Sequence, residues 1–426
     1  MPSKQPRESR RHGIPPAPPP RLPFGALESH NDPIDLALWH TLRCVLLWSR
    51  TPEHRRARLF RRVGEPARAR IAAAADAAPL LADPLAVLVR LQEEPGAADP
   101  AAVAVACDRV YEWAERTGLQ VTATHFAEAS AYAEPTNPKW AVRAGYMTRT
   151  AGGAPMLDRS ESWHARGYSL AVRNRNKTMV IRALTGAGAL MKDRGQYGQA
   201  WSLYVRAAKR ASRTGRKRRA AVAFHYSFAL ASETGHFRVA VRDALRALTL
   251  YPLDDERLPA LAHDVAYLLI RRNHHATALR LVDGLGYVVA GVAAMGMLFG
   301  VTARAAAGAG RDRSYRDSAE MALNVAEIND ECAGPTYINL AEAARFHRRW
   351  GTVSELARRA LEVARHRADI EVERLAAELL QQAEREEYPQ LPSLPDPDAP
   401  VAVLARRLAA RLQRWRRRKR SVGIHV

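Results

Sequence analysis

His263 and Asp264 come closest in this sequence to acid–base chemistry: an imidazole beside a carboxylate, inside a largely apolar helix predicted over 258–270. A carboxylate among apolar neighbours needs a partner, and a structural hydrogen bond meets that need without catalysis. His274 and His275 are adjacent, so their rings leave a helix in different directions and do not chelate one metal as an i, i+4 pair does. The chain has no His-Glu-x-x-His, no Gly-x-x-x-x-Gly-Lys-Ser/Thr loop and no Gly-x-Ser-x-Gly. Cys44, Cys107 and Cys332 are odd in number and far apart, with no metal-ligand spacing, which suits a reducing compartment. These residues predict a protein that is not an enzyme and holds no metal and no cofactor.

The elements that must position such residues are helices. Alanine and arginine dominate, aromatics make up 7% and β-branched runs are scarce, a composition of helix formers. A length of 426 residues fits either several compact domains or one elongated stack. The net charge of +21 would point toward nucleic acid or an anionic membrane. Only seven of the 65 basic residues are lysine, however, which reads as a coding bias toward arginine. Arginines such as Arg242, Arg246, Arg280 and Arg345 fall singly on polar helix faces, where a solvated surface is expected.

Residues 1–30 are a Pro/Arg-rich arm expected to be disordered, with no apolar core for a signal peptide, so a cytoplasmic location is expected. Residues 31–96 form an N-terminal helical region, a small cap, in which Leu36, Trp39, Leu42, Val45 and Leu46 recur at helical spacing. It lacks the short glycine turn of a helix-turn-helix. After a break at Pro95 to Pro100, residues 100–387 read as a continuous helical run, with helices predicted at 101–116, 120–133, 137–149 and 159–174. Gly284 to Ala303 is 20 residues without a charge, long enough to span a membrane. Its five glycines, and a helix-to-helix turn predicted near Ala290 to Val292, favour a buried helix pair instead.

A repeat emerges from Leu184. Gly188 sits mid-helix, Gly195 ends that helix, Tyr197 follows, and Ala200, Tyr204 and Ala207 run down the next; the same offsets recur 40 residues on at Gly235, Phe237, Ala240, Ala244 and Ala247. A third copy has Asn273 in place of the glycine and His275 in place of the aromatic, and a fourth has Tyr315 after a turn stretched over Ala307 to Asp312. The fifth carries Tyr337, Ala341 and Ala344, then Arg348 where glycine is usual, then Trp350. This spacing resembles the tetratricopeptide repeat, most clearly over 178–366, with helices lengthened as the basic insertion Thr214 to Arg219 suggests. The resemblance, to a bacterial protein with extended repeats, implies a right-handed α-solenoid of antiparallel helix pairs. Small residues would sit where helices cross and Tyr197, Phe237 and Trp350 would plug the turns.

The resemblance also implies a concave surface lined by the first helix of each pair, where a protein or peptide partner lies. The candidate groove residues are His225, His263, Tyr267, Arg271 and Glu342, with Thr185, Ala189 and Lys192 on the first copy; an acidic peptide suits the cations. The expected role is a scaffold or adaptor. Past a Pro-rich linker at 388–400, residues 401–426 form a basic amphipathic helix and tail: Val401, Leu404, Leu408, Leu412 and Trp415 make one apolar stripe among Arg406, Arg407, Arg411, Arg414 and the basic run 416–420. Nine basic residues within fifteen suit an anionic membrane surface, with Trp415 at the interface, or nucleic-acid phosphates in a regulator. A helix that docks back and closes the end of the stack is the structural alternative.

Overall fold

In the computed structural model the described residues are 33–60, 65–150, 154–285, 291–367, 369–389 and 399–421. The arm at 1–30 and most of the 388–400 linker lie outside them. The described residues are all-α, with no strand among them. The helices are α1 (Pro33–Arg50), α2 (Glu53–Arg56), α3 (Glu65–Ala77), α4 (Ala82–Glu93), α5 (Pro100–Arg116), α6 (Gln120–Ala133), α7 (Pro138–Thr150), α8 (Ala154–Arg173), α9 (Lys177–Asp193) and α10 (Tyr197–Arg213). They continue with α11 (Lys217–Glu233), α12 (Phe237–Leu250), α13 (Leu258–Arg271), α14 (His275–Asp283), α15 (Val292–Gly308), α16 (Asp312–Ile328), α17 (Asp330–Phe346), α18 (Trp350–Arg367), α19 (Ile370–Glu384) and α20 (Ala399–Ser421). Consecutive helices pack as pairs, the arrangement of an α-solenoid. The chain divides into two compact units, 1–207 and 208–426.

In the first unit the cap expected at 31–96 is continuous with the helices after it. Leu38, Leu42, Val45 and Trp48 of α1 share one core with Val103, Val110, Phe126, Trp140 and Trp163. The Trp48 indole donates to the Pro95 carbonyl at 2.8 Å, so the expected break is a link between α4 and α5 inside that core. Asp99 caps α5 by accepting from the Ala101 and Ala102 amides, with Pro100 as first helical residue.

Repeat spacing is set by one recurring three-residue turn. Gly195, Gly235, Asn273, Gly310 and Arg348 all take left-handed φ, at 71°, 78°, 60°, 67° and 55°. After each, the next amide reaches back to a carbonyl of the helix just ended, as Gln196 to Met191 at 2.8 Å and Arg349 to Ala344 at 3.2 Å. Asparagine and arginine thus hold the conformation glycine holds elsewhere, against the cost of a Cβ there. Two expectations change. The fourth turn is not stretched, because α15 runs to Gly308 and Gly310 makes the ordinary turn. Thr214 to Arg216 is the same turn between repeats, around Gly215 at φ 68°, and α11 begins at Lys217, so the basic segment is no insertion.

The small residues lie where helices touch: Ala200, Ala207, Ala240, Ala247 and Ala341 are fully buried. A Cβ on Gly188 would lie 2.6 Å from the Tyr204 ring, so this glycine is what admits the tyrosine. Tyr204 rather than Tyr197 fills that space; Tyr197 is 45% exposed, while Phe237 and Trp350 are half-buried. Within 284–303, Gly291 at φ 99° starts α15 at Val292, and no helix among the described residues is long and apolar enough to cross a membrane.

α20 returns to the middle of the second unit, packing on α12, α13 and the short α14 rather than closing the far end of the repeats. Val401, Leu404, Leu408, Leu412 and Trp415 are buried there. The Arg411 guanidinium donates to the carbonyls of Leu248 and Tyr251, which end α12 just before Pro252. Those carbonyls have no partner within their own helix, and a cation suits that end of it.

Candidate functional site

In the second unit the first helices of successive repeats, α11, α13, α15 and α17, bring the expected groove residues into two polar clusters. One centres on Asp264, whose Oδ2 lies 2.9 Å from His225 Nε2 and whose Oδ1 lies 3.2 Å from His263 Nδ1. Burial pushes the Asp264 carboxyl up, but hydrogen bonds from His225 and His263 outweigh it and hold the group well below the usual carboxylate range. An ionised carboxylate only accepts, so both imidazole nitrogens facing it carry protons. In a neutral His225, Nδ1 then accepts from the Tyr251 hydroxyl, 3.2 Å away. The cluster can hold and orient protons.

The second cluster runs across three helices. Arg304 of α15 stands 5.7 Å over the Tyr267 ring of α13 and 3.4 Å from Glu342 of α17. Burial would lower the Arg304 guanidinium; Glu342 and Tyr267 overcome this and raise it. Glu342 also accepts from Arg345 at 2.9 Å, and Arg345 donates to the Glu387 carbonyl at 3.0 Å. Arg345 is therefore buried in a network rather than solvated, because Glu342 and a carbonyl of the segment after α19 supply its partners. Arg242 and Arg246 reach the buried Asp243 but stay exposed, as expected of them. Arg271 is exposed and donates to the Ser232 carbonyl at the end of α11, at 3.1 Å.

Sequence reasoning missed the residues that join these groups. In the sequence Asp264 pairs only with its neighbour His263, whereas its bond to His225 spans 39 positions. That is one repeat, so the 40-residue period was the available signal. Arg304 lies just past the uncharged stretch, one repeat before Glu342. In the first unit the buried Glu128 was missed too: it accepts from Arg159 at 3.0 Å and the Trp163 indole at 2.7 Å. Thr185 on α9 spends its hydroxyl on the Ile181 carbonyl. Among the described residues, no three His, Cys, Asp or Glu side chains stand where they could share a metal ion. The three cysteines are free and buried, and burial pushes the Cys44 thiol up to about 12.

On α20 the candidate anionic-surface residues separate. Arg406, Arg407 and Arg414 are exposed, Arg411 is spent on α12, and Trp415 is only 6% exposed. The tryptophan expected at a lipid interface thus lies inside the protein, as does the apolar stripe on which that reading relied.

No family model matches the chain, and no curated protein matches it. Among solved structures, the TPR domain of P58(IPK) aligns over 75% of this chain and 92% of its own at 13% identity, with a TM-score of 0.23. A circular tandem repeat protein with novel repeat topology aligns over 92% and 97% at 16% identity, with a TM-score of 0.17. Likeness at that level decides nothing; the helix pairs and their recurring turn carry the description as a TPR-like helical repeat.

Proposed function

We propose that the protein is a non-catalytic scaffold that holds a protein or peptide partner along the first-helix face of its repeats. The observation that supports this reading is the cross-helix bonding of that face. His225 to Asp264 ties α11 to α13, and Arg304 to Glu342 ties α15 to α17. A surface fixed before the partner arrives loses less freedom on binding. His263 and Tyr267 stay half-buried, held by Asp264 and Arg304, and Arg271 is exposed, with N–H groups beyond the one given to the Ser232 carbonyl to meet an acidic segment.

Affinity capture with chemical cross-linking tests this with three full-length proteins: the wild type, His263→Ala with Arg271→Glu, and Arg406→Glu with Arg407→Glu and Arg414→Glu. The expected result is a cross-linked partner kept by the α20 variant and lost by the groove variant. Loss with the α20 variant alone moves the function to the exposed basic face of that helix, and equal capture by all three removes the groove. Charge reversal is preferred to deletion of 399–426, which would uncover the leucines that α20 buries.

A further inference from the structure

The sequence has two densely basic segments, and the second unit brings them to one place. Residues 209–219, which run from the end of α10 through the Gly215 turn into α11, hold seven basic side chains and no acidic one; residues 406–420 of α20 hold nine. An arginine of each segment reaches the turn that joins α12 to α13. Arg218 of α11 meets Asp255 at 2.6 Å and Glu256 at 2.8 Å. Arg411 of α20 donates to the Leu248 and Tyr251 carbonyls at the end of α12. Two segments far apart in sequence thus meet at a single short turn.

The charge these two arginines do not use lies directly beside them. Arg216 and Lys217 precede Arg218, and Arg407 and Arg414 stand four residues before and three after Arg411, on its side of α20. Burial, and then the charge of Arg414, push the Arg411 guanidinium down, so Arg414 stands close to it. Arg216, Lys217, Arg407 and Arg414 are all exposed, and among the described residues none of the four has a carboxylate partner. The acids of the turn are taken: Asp255 and Glu256 by Arg218, and Asp254 is not free either.

We infer that this surface binds the phosphate backbone of double-stranded nucleic acid, without regard to base sequence. Guanidinium groups match phosphate with paired hydrogen bonds, and unmatched cations displace the counterions that a duplex carries. Arg407 and Arg414 lie about 10 Å apart along the α20 axis, roughly three phosphate steps on one strand. Neither segment exposes an aromatic side chain among the described residues, because Trp415 is buried, so the bases of a single strand would find nothing to stack on. Neither exposes a large apolar group with which to enter a lipid surface. The surface uses none of the first-helix residues proposed to meet a protein partner.

Fluorescence anisotropy of the full chain with labelled duplexes of about 20 base pairs, in two unrelated sequences, tests this. The expected result is equal binding of both duplexes, weaker binding of either single strand, and an affinity that falls about a hundredfold between about 50 and 200 mM salt. Arg216→Glu with Lys217→Glu, and Arg407→Glu with Arg414→Glu, should each weaken binding about tenfold and flatten the salt dependence. Arg313→Glu with Arg316→Glu makes the same charge change at exposed positions of α16 and should weaken it far less. Should a charge reversal not fold by far-UV circular dichroism, the matching pair of glutamines takes its place. No duplex binding at about 10 µM protein in low salt overturns the inference. So does an equal loss with the α16 variant, a loss confined to one of the two basic segments, tighter binding of a single strand, or binding of phosphatidylserine vesicles without binding of the duplex.

Discussion

At Gly188 the helix has no room for a methyl group. Gly→Ala inside a helix ordinarily stabilises by up to about 1 kcal/mol, but here the new carbon would meet the Tyr204 ring at 2.6 Å. Gly188→Ala is therefore expected to lower stability by about 1–3 kcal/mol, read as a drop in the urea midpoint with unchanged slope. The buried histidines set the acid response. Burial lowers His125 and His275 to about 4 and His164 to about 3, from the ordinary 6.5. Each ring binds its proton more weakly folded than unfolded, so its share of stability is complete above about pH 6.5 and drains as pH falls toward those values. The melting temperature should fall between pH 6.5 and 4, and His275→Leu should flatten that fall. Most of the candidate site's residues could be read one by one, but its bonds could not, because the contacts that join His225 to Asp264 and Tyr267 to Arg304 cross from one repeat to the next.

For single helices, sequence and structure agree where local chemistry sets the boundary. The helices predicted at 101–116 and 120–133 are observed as Pro100–Arg116 and Gln120–Ala133, since a proline, an aspartate cap and a left-handed turn mark their ends. Agreement fails where a distant partner decides, as with Tyr197 and with α20. The stripe of α20 is amphipathic whichever apolar surface it meets, and only the three-dimensional course of the chain shows that α12, α13 and α14 supply it. Arg411→Met keeps the length of that side chain but leaves the Leu248 and Tyr251 carbonyls unpaired. A loss on the order of 2 kcal/mol is expected, with faster amide exchange confined to α20 and the end of α12. Uniformly faster exchange throughout the second unit would instead mean that Arg411 supports the whole unit.

Across the whole molecule, the division at residue 207 has a spectroscopic signature. Six of the eight tryptophans, Trp39, Trp48, Trp113, Trp140, Trp163 and Trp201, lie in the first unit. Indole fluorescence therefore follows mainly that unit, while helical circular dichroism follows both. Chains of repeats held by neighbour contacts need not unfold as one. Guanidinium titrations are expected to give different midpoints by the two probes, and coincident curves would mean a single cooperative transition.

The position of α20 also bears on how the molecule is made. α14 ends at Asp283 and α20 begins at Ala399, so at ribosomal rates roughly ten seconds of synthesis separate the surface from the helix that covers it. For that interval the nascent chain carries the apolar strip and the α12 carbonyls without the helix that later covers them.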